Sequence, residues 1–132
     1  MASNQSLSRW SRILLWLNWL AVCGYTGVIY YYSTISLNIP VYVKSQDKYL
    51  HLVAYAVMGI LWLRVLTIKR WQAILISIAI AGTIGFLVEI RQIYCNRMFE
   101  WADVLSNFLG TVLGVLAYSL LQKCCCKNGL PR

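Results

Sequence analysis

The sequence predicts an all-α fold: a polytopic membrane protein, built as a four-transmembrane-helix bundle with both termini in the cytoplasm. Three observations predict it. Of the 132 residues, 60% are hydrophobic and 12% charged, whereas a soluble domain carries about 45–50% apolar and about 25% charged residues. The apolar residues gather into four stretches, each near the roughly 20 residues needed to cross a bilayer. The basic residues give a net charge of +8 and fall mostly at the stretch ends that share one side of the membrane. In a soluble protein such an excess would suggest nucleic acid. Around membrane spans it instead retains short loops in the cytoplasm, so no nucleic-acid partner is expected.

The first span covers residues 13–31 and follows Arg9 and Arg12. A cleaved signal peptide is the rival reading, but the apolar run exceeds the roughly 7–15 residues of a signal core. Leu20-Ala21-Val22-Cys23 resembles a lipoprotein cleavage box only faintly, because Val22 is larger than the residue expected before the cysteine. An uncleaved span is therefore expected. A polar loop containing Pro40 interrupts the chain before the second span, residues 50–66. A tight basic turn with Lys69 and Arg70 leads to the third, residues 71–93, and the fourth covers residues 104–121. No internal repeat or linker divides the chain, so residues 1–132 read as one membrane domain.

Orientation follows from counting cations. The side that holds the N-terminus, the second turn and the C-terminus carries Arg9, Arg12, Arg64, Lys69, Arg70, Lys123, Lys127 and Arg132. The other carries Lys44, Lys48, Arg91 and Arg97. Eight against four places both termini inside. The four acids, Asp47, Glu89, Glu100 and Asp103, and the one histidine, His51, all fall toward the outer side.

Polar residues recur at helical spacing near the outer ends of the last three spans. Asp47, His51 and Tyr55 are four apart and stack on one face. Glu89 and Gln92 share a face with Gly82 and Gly85, and Asp103 and Asn107 continue through Gly110 and Gly114. At about 1.5 Å per residue, Tyr55, Glu89 and Asn107 stand level, within about 10 Å of the outer boundary. An ionised carboxylate at mid-bilayer costs about 2.5–3.5 kcal/mol, so such groups usually face a bundle interior or a wet cavity. The glycines lie inward of the polar groups and allow close backbone approach, as in Gly110-x-x-x-Gly114. The expectation is tight packing in the inner half and a polar pocket opening outward.

Each of these residues also has a plainer reading. His51 is either a general acid/base or head-group ligand, able to change charge near neutral pH, or an interfacial histidine satisfied by Asp47. Glu89 needs a partner on another helix, a proton or water; the candidates for pairing are His51, Lys48, Arg91 and Arg97. Asp103 either belongs to the site or caps the fourth helix. Asn107 and Gln92 read more readily as interhelical glue than as chemical groups. Arg97 either clamps a phosphate or carboxylate through two parallel hydrogen bonds or is a solvated loop charge. Trp10, Tyr30, Tyr31, Tyr32, Trp71 and Trp101 fit aromatic belts at the two surfaces.

The cysteines number five, and three of them are adjacent, so they give no disulfide framework. Cys23 reads as a small packing residue within the first span. Adjacent thiols at Cys124, Cys125 and Cys126 fit poorly with the spaced ligands of a metal site. Acylation is their alternative; the tail is read as incidental. No metal and no cofactor are expected.

The set Asp47-Lys48-x-x-His51-x-x-x-Tyr55, Gly85-x-x-x-Glu89-x-x-Gln92, Arg97 and Asp103-x-x-x-Asn107-x-x-Gly110-x-x-x-Gly114 resembles the VanZ-like family, in order and spacing, over residues 47–118. That resemblance implies a small multi-pass protein of the bacterial cytoplasmic (inner) membrane. The family's namesake is associated with resistance to teicoplanin, a lipidated glycopeptide that attacks cell-wall precursors.

Three classes of function follow. The first is a cell-envelope binding protein whose outward site, formed by Asp47, Lys48, His51, Tyr55, Glu89, Gln92, Arg97, Asp103 and Asn107, engages a lipid head group, a wall precursor or a lipidated glycopeptide. The second is a hydrolase or transferase acting on a lipid-linked substrate, with His51 and Glu89 as catalytic candidates. It lacks an obvious Ser or Cys nucleophile in a recognised setting, so binding is preferred. The third is a structural subunit of an envelope complex. Membrane lipids are expected partners in all three, and self-association is open. Transport ranks below these, because four spans would make a path only by oligomerising and the inner half offers little beyond Asn18 to line it.

Overall fold

The computed structural model describes residues 9–35, 44–95 and 98–127. Four helices follow one another: α1 (Arg9–Thr34), α2 (Lys44–Val65), α3 (Arg70–Ile93) and α4 (Trp101–Lys127). All four are long and apolar enough to cross a membrane. An isolated apolar segment in hydrocarbon must satisfy its backbone internally, which leaves the helix as its solution. Some hydroxyl side chains obey the same constraint by bonding back into their own helix. Ser77 donates to the Ala73 carbonyl at 2.7 Å, Thr111 to Asn107 at 2.9 Å, and Thr34 to Tyr30 at 2.9 Å.

The helix bounds exceed the apolar stretches in informative places. α2 starts at Lys44 rather than near Leu50, so Asp47, Lys48 and His51 project from regular helix. α4 runs to Lys127 and absorbs the start of the cysteine-rich tail. Polar residues at these ends lower hydropathy without breaking helical geometry, so a hydropathy boundary stops short of the structural one.

Side-chain contacts fix an up-and-down arrangement. At one end, Lys48 of α2 meets Asp103 of α4, and Arg91 near the end of α3 donates to the Tyr30 hydroxyl of α1 at 3.2 Å. At the other end, Arg70 of α3 donates to Gln122 of α4. The described starts of α1 and ends of α4 therefore share the end opposite Lys48.

α2 and α4 form the most intimate pair. A Cβ added at Gly110 would stand 2.8 Å from the Leu52 carbonyl carbon, and one at Gly114 would meet the Ala56 carbonyl carbon at the same 2.8 Å. Gly59 lies against α4 less tightly: a Cβ there would meet the side chains of Thr111 and Val115 at 3.0 Å. α3 packs against both, while α1 touches only α2 and α3 among the described residues. Its anchors are an edge-to-face pair of Trp19 and Trp62, with centroids 5.9 Å apart, and a 3.0 Å hydrogen bond from the Tyr25 hydroxyl to the Ala54 carbonyl.

The distribution of polarity is inverted relative to a soluble bundle. Leu14, Leu75, Leu87, Leu113 and Leu120 are each more than half exposed, while Ser77, Glu89, Gln92, Asp103, Asn107, Thr111 and Ser119 are buried. Water would not favour so continuous an apolar exterior; lipid does. The apolar core is correspondingly small: Tyr55, Met58 and Ala81 form one cluster, and Leu63, Ala73 and Val115 another nearer the far end.

Candidate functional site

The site begins with α2, where Asp47, Lys48, His51 and Tyr55 leave successive turns and face α4 or α3. Lys48 Nζ donates to Glu100 Oε2 at 2.9 Å and to Asp103 Oδ1 at 3.0 Å. One ammonium thus joins the start of α2 to the start of α4 through two carboxylates. Its side chain is 33% exposed, against 35% for Glu100 and 6% for Asp103. Asp103 lies in the first turn of α4, where a negative charge is also favoured by the helix dipole. Its carboxylate reaches across to Lys48, so it acts between helices as well as along its own.

One turn deeper, His51 Nδ1 and Asn107 Oδ1 are 2.9 Å apart. An amide oxygen only accepts, so the imidazole proton of this bond resides on Nδ1. His51 Nε2 faces the other way, toward Asp47 Oδ1 at 3.9 Å. Deeper still, Tyr55 and Asn107 both close on Gly85 of α3: a Cβ there would lie 3.0 Å from the Tyr55 ring and 3.0 Å from Asn107 Cβ. Gly85 is what lets three helices converge on one point. Glu89, one turn beyond on α3, is 0% exposed and lies within electrostatic range of the Tyr55 hydroxyl. Gln92 follows at 1% exposure.

The residues of the predicted site therefore come together in two layers. Asp47, Lys48, His51 and Asp103 form a partly open rim; Tyr55, Glu89, Gln92 and Asn107 form a buried floor. In the floor, the Tyr55 hydroxyl, Gln92 Nε2 and Asn107 Nδ2 make no hydrogen bond within the described residues. Burying such donors unsatisfied costs about 1–3 kcal/mol each, so the floor is built at the expense of stability. Arg97 lies outside the described residues. Of the cations the sequence offers to Glu89, Lys48 is taken up by Glu100 and Asp103, and Arg91 by the Tyr30 hydroxyl and the Tyr94 ring. His51 bonds Asn107.

Sequence reasoning missed Glu100 as part of the rim. It precedes α4, so no spacing within a helix could mark it; only the fold brings it to Lys48. It also missed α1, whose Tyr25 and Tyr30 hydroxyls brace α2 and Arg91 from behind.

Four helices long and apolar enough to span a membrane, with carboxylates, an imidazole and amides gathered at one end, define the class: a multi-pass membrane protein with a polar cluster at one end of its bundle. The profile of the VanZ/LLP1 family matches residues 3–122, and the chain belongs to that family. The match includes α1, which the short motifs of the sequence did not reach. No curated protein and no solved structure matches the chain.

Proposed function

We propose that this protein binds the polar head of a lipid-linked envelope molecule, a wall precursor or a lipidated glycopeptide, at the outer leaflet of the bacterial cytoplasmic membrane. Binding lowers susceptibility to teicoplanin-type antibiotics. The observation that carries the reading is the floor: Tyr55, Glu89, Gln92 and Asn107, from three helices, are all at most 1% exposed and gather where an apolar core would be more stable. Polar groups held at that cost inside a membrane protein are a functional site by default. Donors without partners among the described residues, the Tyr55 hydroxyl, Gln92 Nε2 and Asn107 Nδ2, suit the hydroxyl and amide groups of sugars and peptides. The surrounding lipid brings the ligand's chain to the same depth, so the head group need only enter sideways or from above. The orientation that makes this end outward comes from the excess of Lys and Arg at the other end.

The test is expression in a drug-sensitive bacterium. Wild-type protein raises the inhibitory concentration of a lipidated glycopeptide, and Glu89→Gln or His51→Ala abolishes the rise at equal membrane abundance. No change with wild-type protein, or full protection by both variants, would refute the reading.

A further inference from the structure

At the end of the bundle that holds the rim, two cations have described side chains. Lys48 is paired with Glu100 and Asp103. Arg91 pairs with no carboxylate among the described residues and is held by tyrosines instead. We propose that Arg91, braced by Tyr30 and Tyr94, is a phosphate-binding site for the head group of an anionic membrane phospholipid, separate from the rim and floor.

Arg91 lies in the last turn of α3, two residues after Glu89. Residues at that spacing leave a helix in different directions. Glu89 is accordingly buried, while Arg91 is exposed on the outside of the bundle. There the guanidinium has two contacts. Its Nε donates to the Tyr30 hydroxyl of α1 at 3.2 Å. Its Cζ stands 5.9 Å from the Tyr94 ring centroid, within the range of cation–π attraction. With Nε engaged, the two terminal nitrogens remain as a pair of parallel donors, and they make no hydrogen bond among the described residues. The Tyr30 oxygen accepts from Arg91, so its own proton is left to donate. The cluster thus offers donors around a permanent positive charge.

Three features select a phospholipid phosphate. The first is shape: a guanidinium fork fixed at Nε matches two oxygens of one phosphate and loses little freedom on binding it. The second is depth. Tyr30 and Tyr94 are exposed near helix ends, where aromatic rings lie level with lipid head groups. A guanidinium at the edge of the hydrocarbon is costly without a counter-charge; a phenol and a ring reduce that cost, and an anion neutralises it. The third is an apolar path. Leu87 precedes Arg91 by one turn on the same face of α3 and is more than half exposed, so an acyl chain lies along α3 beneath a phosphate held by Arg91. A bound lipid also fastens α1, which touches only α2 and α3 among the described residues, because Tyr30 reaches Arg91 from α1.

The full chain, purified in detergent and freed of lipid, is titrated with short-chain phosphatidylglycerol, with the matching diacylglycerol, or with inorganic phosphate. Bound molecules are counted by native mass spectrometry, all variants being compared at matched helix content. One phosphatidylglycerol is tightly retained per chain, and neither diacylglycerol nor inorganic phosphate is. Arg91→Gln weakens that binding about tenfold to a hundredfold, as loss of a charge-assisted pair does. Arg91→Lys keeps the charge without the fork, and Tyr30→Phe keeps the ring without the acceptor for Nε; each binds more weakly than wild type. Arg64→Gln removes an exposed cation at the opposite end and binds as wild type does. Glu89→Gln, which alters the floor, also keeps the phosphatidylglycerol, so this site and the proposed head-group site fail or stand separately. Undiminished binding by Arg91→Gln, an equal loss in Arg64→Gln, full affinity in Arg91→Lys, or equal retention of diacylglycerol or inorganic phosphate would each overturn the proposal.

Discussion

At the scale of single residues, Asn107 has the greatest leverage. It is 1% exposed, it accepts from His51, and it lies against Gly85 beside the Tyr55 ring. Asn107→Leu fills a similar volume but leaves the His51 Nδ1 donor without its acceptor. The expected loss is about 1–3 kcal/mol of stability, read as earlier thermal unfolding in detergent, and Asn107→Asp, which keeps an acceptor, loses less. Glu100 makes the contrast. It shares Lys48 with Asp103, but its side chain is 35% exposed, so Glu100→Gln lowers stability by less than about 1 kcal/mol. An effect of Glu100→Gln as large as that of Asn107→Leu would mean the rim is drier than its exposure states. The sequence made His51, Glu89 and Asn107 visible because charged and amide groups are conspicuous in apolar spans. It could not show that His51 bonds Asn107, since that choice depends on the rotation of α4 against α2.

At the scale of elements, the closeness of α2 and α4 depends on glycine. Gly110 and Gly114 present no side chain to the Leu52 and Ala56 carbonyls, so the backbones approach until a Cβ has no room. Gly110→Ala and Gly114→Ala each force the helices apart, with an expected cost of about 1–3 kcal/mol. Such a shift also lengthens the contacts Lys48–Asp103 and His51–Asn107, which span the same interface, so the proposed head-group binding falls with stability. On α1, Gly24 and Gly27 have nothing within 4 Å of an added Cβ, and alanine there changes stability by no more than about 0.5 kcal/mol. Unfolding curves of the four variants check the contrast; equal effects would refute the packing argument. The small-xxx-small spacing made the role of α4 legible in the sequence. Its partner face did not announce itself, because Leu52 and Ala56 contribute backbone rather than a recognisable side-chain pattern.

At the scale of the whole molecule, the chain is an inverted bundle with a polar end and an apolar girdle, and four apolar stretches sufficed to predict its helices. Their ends were less legible, since α2 and α4 continue helically through polar segments that hydropathy excludes. Orientation belongs to this scale too. In a chain whose native cysteines are replaced by serine, Tyr49→Cys, at a position 69% exposed near the site, reacts with a membrane-impermeant maleimide in intact cells. Ile68→Cys, at a position 46% exposed between α2 and α3, reacts only after the cells are opened; the reverse pattern would place the site inside. The central claim is that rim and floor together retain a lipid-linked head group. Its most direct test is native mass spectrometry of protein extracted from bacterial membranes, comparing wild type with Glu89→Gln and His51→Ala at matched helix content. The account predicts a lipid-linked species bound to wild type and lost from both variants. The same bound lipids, in the same proportion, on all three proteins would contradict it.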